Sequence, residues 1–493
     1  MIIQQRLATT IGAFLENKIK RNIILASFYQ LVYVFTPLLT TPYISRVLGA
    51  DGIGDYSFAF SVATFFALFI RLGLNSYGNR TIAAIRDDKD LLSKTFCEIY
   101  VMQLACGVIF TGLYILWTVL FAPRIIISIC LLLLVMSAVV DITWLLYGAE
   151  DFVVTTIRDI IVRLSTVFLI FVFVKTEDDL WKYALINGAG YLVGQLLAWL
   201  RISHHLKIVK VEKRGVVSHL KPNLVLFIPS IAVSLYKIMD KIMLGTMTVP
   251  NELGFYECSE RVINVPMALI TALGTVMLPR MSNMVANRAD KIQIHSLISK
   301  SIVFATFVSS LLCFGIMTVA DQFVPLFYGD GYEKCITIYA WLMPSCIFLA
   351  FANVLRTQIL LPQKRDKEYI ASLMTGAAVN IVFNLILIPI SGSIGAAIAT
   401  LVAEGSVWLV QSIEVSKDQA IGMYIFNSMP YVVSGVIMFL LFRSFTVDAE
   451  INLFSLIMKI VLCGLSYFVI LGLCLSVKCI LIAIINRFSK KQI

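Results

Sequence analysis

Charge is scarce in this sequence: only 14% of its 493 residues are charged, against 59% that are hydrophobic, and the mean hydropathy is +0.88. A soluble domain carries about 25% charged residues, so a water-soluble globular fold is excluded. Histidine is scarcer still. The four present, His204, His205, His219 and His295, fall in polar connections and form no HExxH or Cys/His set, so no metal-hydrolase machinery is visible. No GxxxxGK[ST] pattern occurs, which removes the P-loop route to ATP. CxxC spacing is also missing. Of ten cysteines, Cys97, Cys106, Cys130, Cys258, Cys313, Cys346, Cys463 and Cys474 sit inside apolar segments and read as small buried hydrophobes, not disulfide partners.

What is present is a succession of apolar runs about 20 residues long or longer, the length of a membrane-spanning helix. Outer-membrane strands alternate over roughly ten residues, so the runs point to an all-α polytopic membrane protein. Bounded by charge, Gly and Pro, they number about fourteen, near 22–45, 56–79, 96–121, 125–147, 155–174, 180–201, 222–248, 254–279, 297–320, 335–361, 369–390, 393–413, 424–442 and 452–478. The net charge of +10 does not point to nucleic acid, because the basic residues cluster in alternate connections. The even-numbered ones hold Arg80, Arg86, Lys89 and Lys94, then Arg201 to Lys221, then Arg280, Arg288 and Lys291, then Lys364, Arg365 and Lys367. By the positive-inside rule these connections and both termini are cytoplasmic. Residues 1–21 place Ile3, Leu7, Ile11 and Ile19 at helical spacing with cations on other faces, the pattern of an amphipathic surface helix and not of a signal peptide.

One stretch organises the rest. In LYKIMDKIMLGTMTVPNELGFYECSER, residues 235–261, two apolar segments meet at a short polar turn with ionisable residues on either side. The turn has an earlier copy. Leu48-Gly49, Gly54, Tyr56 and Arg80 correspond to Leu244-Gly245, Gly254, Tyr256 and Arg280, the last three pairs each two hundred positions apart. With six spans between the copies, the halves form a parallel repeat: a six-helix lobe over 22–201, a basic linker over 202–221, a second six-helix lobe over 222–416, and two extra helices with a basic tail over 417–493.

Intramembrane charge is costly and marks pathways by default. The deep cations are Arg71, Arg163, Lys237, Lys241 and Arg261, and all but Arg163 lie on helices flanking the two hairpins. A cavity lined by such groups attracts a diphosphate or a carboxylated sugar. The competing reading is mutual neutralisation, with Lys237 on Asp240 or Lys241 on Glu260. Asn380 and Asn384 share one face of the eleventh span, and Thr400 and Glu404 one face of the twelfth. With Asp240 they offer oxygen ligands to Na⁺, or a proton site at Glu404, or simply interhelical hydrogen bonds. Lys459 is expected to snorkel to the nearer surface, and Pro37, Pro42, Pro229, Pro266 and Pro344 to mark bends.

The segments PLLTTPYISRVLGADGIGDYSFAFS, LNSYGNRTIA, DKIMLG and LGFYECSERV make the chain resemble the Wzx-type polysaccharide flippases, which share a superfamily with the lipid II flippases and the multidrug and toxin extrusion transporters. The resemblance runs from about residue 22 to 440. It implies two six-helix lobes in a V, a cavity lined by the first, second, seventh and eighth helices, and no enzymatic activity. The implied task is alternating-access transfer of an undecaprenyl-diphosphate-linked repeat unit, such as O-antigen, across the bacterial inner membrane. Arg46, Arg71, Lys237, Lys241 and Arg261 would then face the diphosphate or acidic sugars. Asp240, Asn380, Asn384 and Thr400 stand where related flippases hold a coupling cation, Na⁺ or H⁺, with no other cofactor. Implied partners are the lipid-linked oligosaccharide, membrane lipids, and the polymerase and chain-length regulator of polysaccharide assembly, with the flippase itself monomeric. Two rivals stay open: a cation-coupled multidrug exporter of the same superfamily, and a membrane scaffold that transports nothing.

Overall fold

A computed structural model describes the backbone of residues 2–201, 206–207, 209–288, 290–445 and 452–489, and their side chains except at 2–28, 152, 229–230, 232–233, 235–237 and 481–489. The expected amphipathic face of 1–21 and the side chain of Lys237 therefore lie outside the described residues, while the backbone stays helical through position 229. Regular structure among the described residues is helical throughout. The chain forms two compact units, residues 1–234 and 235–493.

The first unit contains α1 (Ile2–Arg71), α2 (Leu74–Ile85), α3 (Lys89–Phe121), α4 (Ile125–Val139), α5 (Thr143–Gly148), α6 (Phe152–Phe173), α7 (Leu180–Trp199), α8 (Lys213–Ser218) and the start of α9 (Leu220–Met247). Helix α4 packs on α1, α3 and α7, and α6 on α1 and α7. The first two expected spans are one helical run, kinked at Gly49, where φ of 66° puts the backbone in the region that favours glycine. Pro37 and Pro42 lie inside that run without interrupting it. The second span ends at Arg71, short of the expected 79, because Leu72 takes a positive φ and Gly73 starts a new helix.

The fourth span is broken at Val140–Ile142, and unpaired carbonyls inside a membrane must find donors. Gln103 supplies them. Its amide nitrogen donates to the carbonyls of Ala138 (2.8 Å) and Asp141 (2.9 Å), while the Trp199 indole donates to that of Val140 (2.7 Å). The basic connection after α7 is not a free linker. The Lys207 amide donates to Ser93 Oγ at 3.1 Å, and His219 sits between the Tyr77 hydroxyl (2.6 Å) and the Glu98 carboxylate (3.1 Å).

The second unit holds the rest of α9, then α10 (Pro250–Ala286), α11 (Lys291–Tyr328), α12 (Lys334–Leu342), α13 (Ser345–Leu355), α14 (Asp366–Ser391), α15 (Ser393–Ser416), α16 (Ile421–Phe442) and α17 (Leu453–Ser489). Helices α14 and α15 form a tight hairpin at Gly392, whose φ is 56°. The Glu252 carboxylate binds that turn, accepting from the amide (2.8 Å) and hydroxyl (2.6 Å) of Ser393, and it also pairs with Lys334. Of the expected bends, Pro344 falls at a helix break, whereas α10 runs through Pro266.

Ten helical runs among the described residues are long and apolar enough to cross a membrane, and the first, Tyr29–Ile85, contains two expected spans. The expected fifth and sixth, α6 and α7, do not meet that criterion on their own. Helix α6 carries Arg158, Asp159 and Arg163, and α7 carries Lys182, Asn187 and Gln195. The repeat is visible in burial as well as identity. Ile53, Gly54 and Tyr56 are buried, and so are Leu253, Gly254 and Tyr256 at the matching positions.

Lys459 does not snorkel. It is fully buried and pairs with both carboxylate oxygens of Asp321 at 2.9 and 3.0 Å, tying α17 to α11. The Asp321 side chain is 39% exposed, so the two halves of the pair are unequal. Asp321→Asn leaves an ammonium buried and unpaired, a loss of about 3–5 kcal/mol, whereas Lys459→Met leaves a carboxylate that water reaches. Thermal unfolding in detergent should show the first variant far less stable than the second; equal midpoints, or the reverse order, contradict this reading.

Candidate functional site

The buried polar centre of the second unit is Asp240, on α9. Its Oδ2 accepts from the Tyr256 hydroxyl (3.0 Å) and from Thr400 Oγ1 (2.9 Å), and its Oδ1 from Asn384 Nδ2 at 2.5 Å. Asn384 Nδ2 also donates to Asn380 Oδ1 at 3.1 Å, and the Tyr256 and Thr400 hydroxyls are 3.0 Å apart. Four helices thus meet on one carboxylate: α9, α10, α14 and α15. The i, i+4 spacing on α14 and the small residues of α15, Ala396, Ala397 and Ala399, all fully buried, let the backbones approach closely enough for this.

Of the sequence-predicted set, Asp240, Asn380, Asn384 and Thr400 are brought together. Glu404, one turn beyond Thr400, is buried but is not among the three side chains that donate to Asp240. Tyr256 was legible in the sequence only as a repeat marker. Its role at Asp240 follows from packing, since it lies sixteen positions from Asp240 on the next helix. The donor set consists of hard oxygens and two amides, and Asn384 Oδ1 is buried with no hydrogen-bond partner. Rotation of that amide would present its oxygen beside the carboxylate, so the residues fit a monovalent cation or a proton.

The predicted cations are held differently. Lys241 pairs with Glu257 and Glu260, each at 2.7 Å, and Arg261 Nε donates to Glu257 at 3.0 Å. Two cations and two carboxylates therefore compensate one another at the start of α10, including the Lys241–Glu260 contact read from the sequence. In the first unit Arg71 pairs with Asp141 at 2.8 Å, and Asp141 also caps α5 by accepting from the Thr143 amide at 2.8 Å. Arg46 is exposed and donates to the Pro42 carbonyl at 2.8 Å. Lys237 has no described side chain.

Arg163, on α6, contrasts with these. Among the described residues no carboxylate comes within ion-pair distance of it, since Asp159, one turn earlier, is engaged by Arg158 at 2.8 Å. Its guanidinium lies 4.5 Å from the centroid of the Tyr33 ring and makes one hydrogen bond, at 3.5 Å, to the Tyr33 carbonyl; its Nε is buried without a partner. A cation–π contact contributes about 0.5–2 kcal/mol, while a central intramembrane charge costs about 2.5–3.5 kcal/mol on insertion scales. The protein leaves part of that cost uncompensated.

Comparison with known proteins now decides the class. A family model described as "Polysaccharide biosynthesis protein" matches residues 19–285, more than half of the chain. The chain belongs to this family. A protein of Escherichia coli (strain K12), named as a candidate O-antigen transporter, is 26% identical over 394 residues, covering 78% of this chain and 94% of its own length. A similarly named protein of Shigella dysenteriae is 21% identical over 396 residues, covering 78% and 97%. Among solved structures, the lipid II flippase MurJ in an inward closed conformation superposes with a TM-score of 0.72, covering 91% of this chain and 97% of that one at 14% identity. That likeness shows the fold, an all-helical architecture, and nothing finer.

Because Tyr256 and Thr400 donate to the same oxygen of Asp240, and a hydrogen bond to a charged group contributes about 1.5–3 kcal/mol, Tyr256→Phe and Thr400→Val should not act independently. A double-mutant cycle on unfolding free energy should return a coupling of about 0.5–3 kcal/mol. Simple additivity contradicts the shared-oxygen geometry.

Proposed function

We propose that this protein is a flippase of the bacterial inner membrane that carries a polyprenyl-diphosphate-linked oligosaccharide, of the O-antigen type, from the cytoplasmic to the outer leaflet. The observation that supports it most is the family match over 19–285, joined to transporter-named relatives that this chain covers along 94–97% of their length. On this reading the two units alternate access to the substrate, the prenyl chain stays in lipid, and both termini are cytoplasmic. A relative from Haloferax volcanii, named as a flippase of low-salt glycan biosynthesis, is 28% identical over 239 residues and favours a glycan cargo over a drug.

Arg71 in the first unit, and Lys241 with Arg261 in the second, each bind an anionic group by exchanging partners. An anion at Arg71 competes with Asp141, and one at Lys241 and Arg261 competes with Glu257 and Glu260, so binding and release need no bare charge in the membrane. Asp240 and its oxygen ligands couple the cycle to Na⁺ or H⁺. Neutralising the carboxylate as Asp240→Asn removes the charge that either ion requires, and keeps the size and most of the hydrogen bonds.

In a deletion strain, one prenyl-linked repeat unit should accumulate on the inner leaflet and surface polysaccharide should disappear. Wild-type protein should restore both, and Asp240→Asn, at equal expression, should restore neither. Normal surface polysaccharide in the deletion strain would refute the flippase reading; full rescue by Asp240→Asn would refute the coupling site alone.

A further inference from the structure

Among the described residues of the first unit, Arg163 has no carboxylate within ion-pair distance, and its surroundings are aromatic. Tyr33, from α1, presents its ring at 4.5 Å. Tyr191, from α7, has its hydroxyl within electrostatic reach of Arg163, Tyr33 and Arg71 together, and its ring 6.1 Å from that of Phe60. Both tyrosines are about half exposed, at 48% and 46%, although they stand on helices that pack on one another's neighbours. Three helices thus bring together a guanidinium with a buried, vacant Nε donor and two half-exposed tyrosine rings.

That set of groups has a defined chemical complement. A guanidinium fork matches the paired oxygens of a phosphate or carboxylate. Tyrosine carries an apolar face and a hydroxyl, suited to a ring with one apolar side and polar edges. A purely structural arginine at this depth would be expected to carry a carboxylate partner, as Arg71 and Arg261 do. A site for a hydrophobic cation is excluded by the sign of the charge.

We propose that Arg163, flanked by Tyr33 and Tyr191, is a binding subsite for the anionic part of a glycan lipid, the guanidinium holding a phosphate or carboxylate while a sugar ring lies on the tyrosines. The proposal rests on the flippase reading and adds a residue to it on the fifth span, away from the hairpin charges. The bound anion supplies the compensation that the protein withholds, so occupancy stabilises the first unit as well as selecting the cargo. Two sources share this chemistry, the prenyl-linked diphosphate and an acidic sugar of the repeat.

The test is binding by the full-length protein in nanodiscs, using farnesyl diphosphate as one probe and a glucuronate-bearing glycolipid as the other. Arg163→Gln should weaken binding of at least one probe by about tenfold or more. Loss confined to farnesyl diphosphate identifies the diphosphate as the ligand, and loss confined to the glucuronate glycolipid identifies the sugar. Arg163→Lys, which keeps the charge but not the fork, should fall between, and Tyr191→Ala should weaken the glycolipid more than farnesyl diphosphate. Should Arg163→Gln fail to fold, Arg163→Lys and Tyr191→Ala carry the same test. Unchanged binding of both probes in every folded variant overturns the proposal. A translocation assay on the same nanodisc-tested preparations, after transfer to liposomes, separates the two claims. If wild-type protein moves no lipid-linked sugar but Arg163→Gln still loses the probe, the flippase reading falls and the anion site stands. If wild-type and Arg163→Gln bind and translocate alike, the site falls and the flippase reading stands.

Discussion

A charge inside a membrane must be compensated, and the placement of charge in this protein follows from that one requirement. Arg71, Lys241 and Lys459 each draw a carboxylate from a neighbouring segment, and Arg261 takes Glu257 from its own helix. The same demand acts on the backbone. Where the fourth span breaks, Gln103 and Trp199 supply donors to the exposed carbonyls. The helices are held by apolar contact over most of their length, but their relative rotation is fixed at these polar points, because a one-residue slip would strand a charge.

Two kinds of polar site result. In one, cations and carboxylates balance, as around Glu257, and an incoming anion exchanges with a group already present. In the other, the balance is incomplete. Among the described residues, Arg163 has no carboxylate within ion-pair distance, and the donors to Asp240 are two hydroxyls and an amide. A transporter needs both: the balanced clusters keep an empty protein stable in lipid, and the unbalanced groups make occupancy matter.

Much of this was legible in the sequence, and the limits have physical causes. The hairpin repeat could be read because glycine and tyrosine recur at fixed positions around both turns, and the matching burial of 53–56 and 253–256 follows from the same constraint. The set of Asp240, Asn380, Asn384 and Thr400 could be read because helical spacing puts both asparagines on one face. Tyr256 could not be assigned to it, since which way a ring points from α10 depends on packing. Arg71 with Asp141 and Lys459 with Asp321 are contacts between residues far apart in the chain, and no periodicity announces them. Arg163 lies away from the hairpins. Its significance appears only when the partners of its neighbours are known, since Asp159, one turn earlier, is taken by Arg158.

The most direct measurement is reconstitution of purified protein in liposomes with a fluorescent prenyl-diphosphate-linked oligosaccharide, read by its accessibility to an external quencher under an imposed Na⁺ or H⁺ gradient. The account predicts protein-dependent transfer of the labelled lipid, driven by one of the two gradients and lost in Asp240→Asn. Labelled lipid that stays in its original leaflet at every gradient, in liposomes whose protein is shown to be folded, would contradict it.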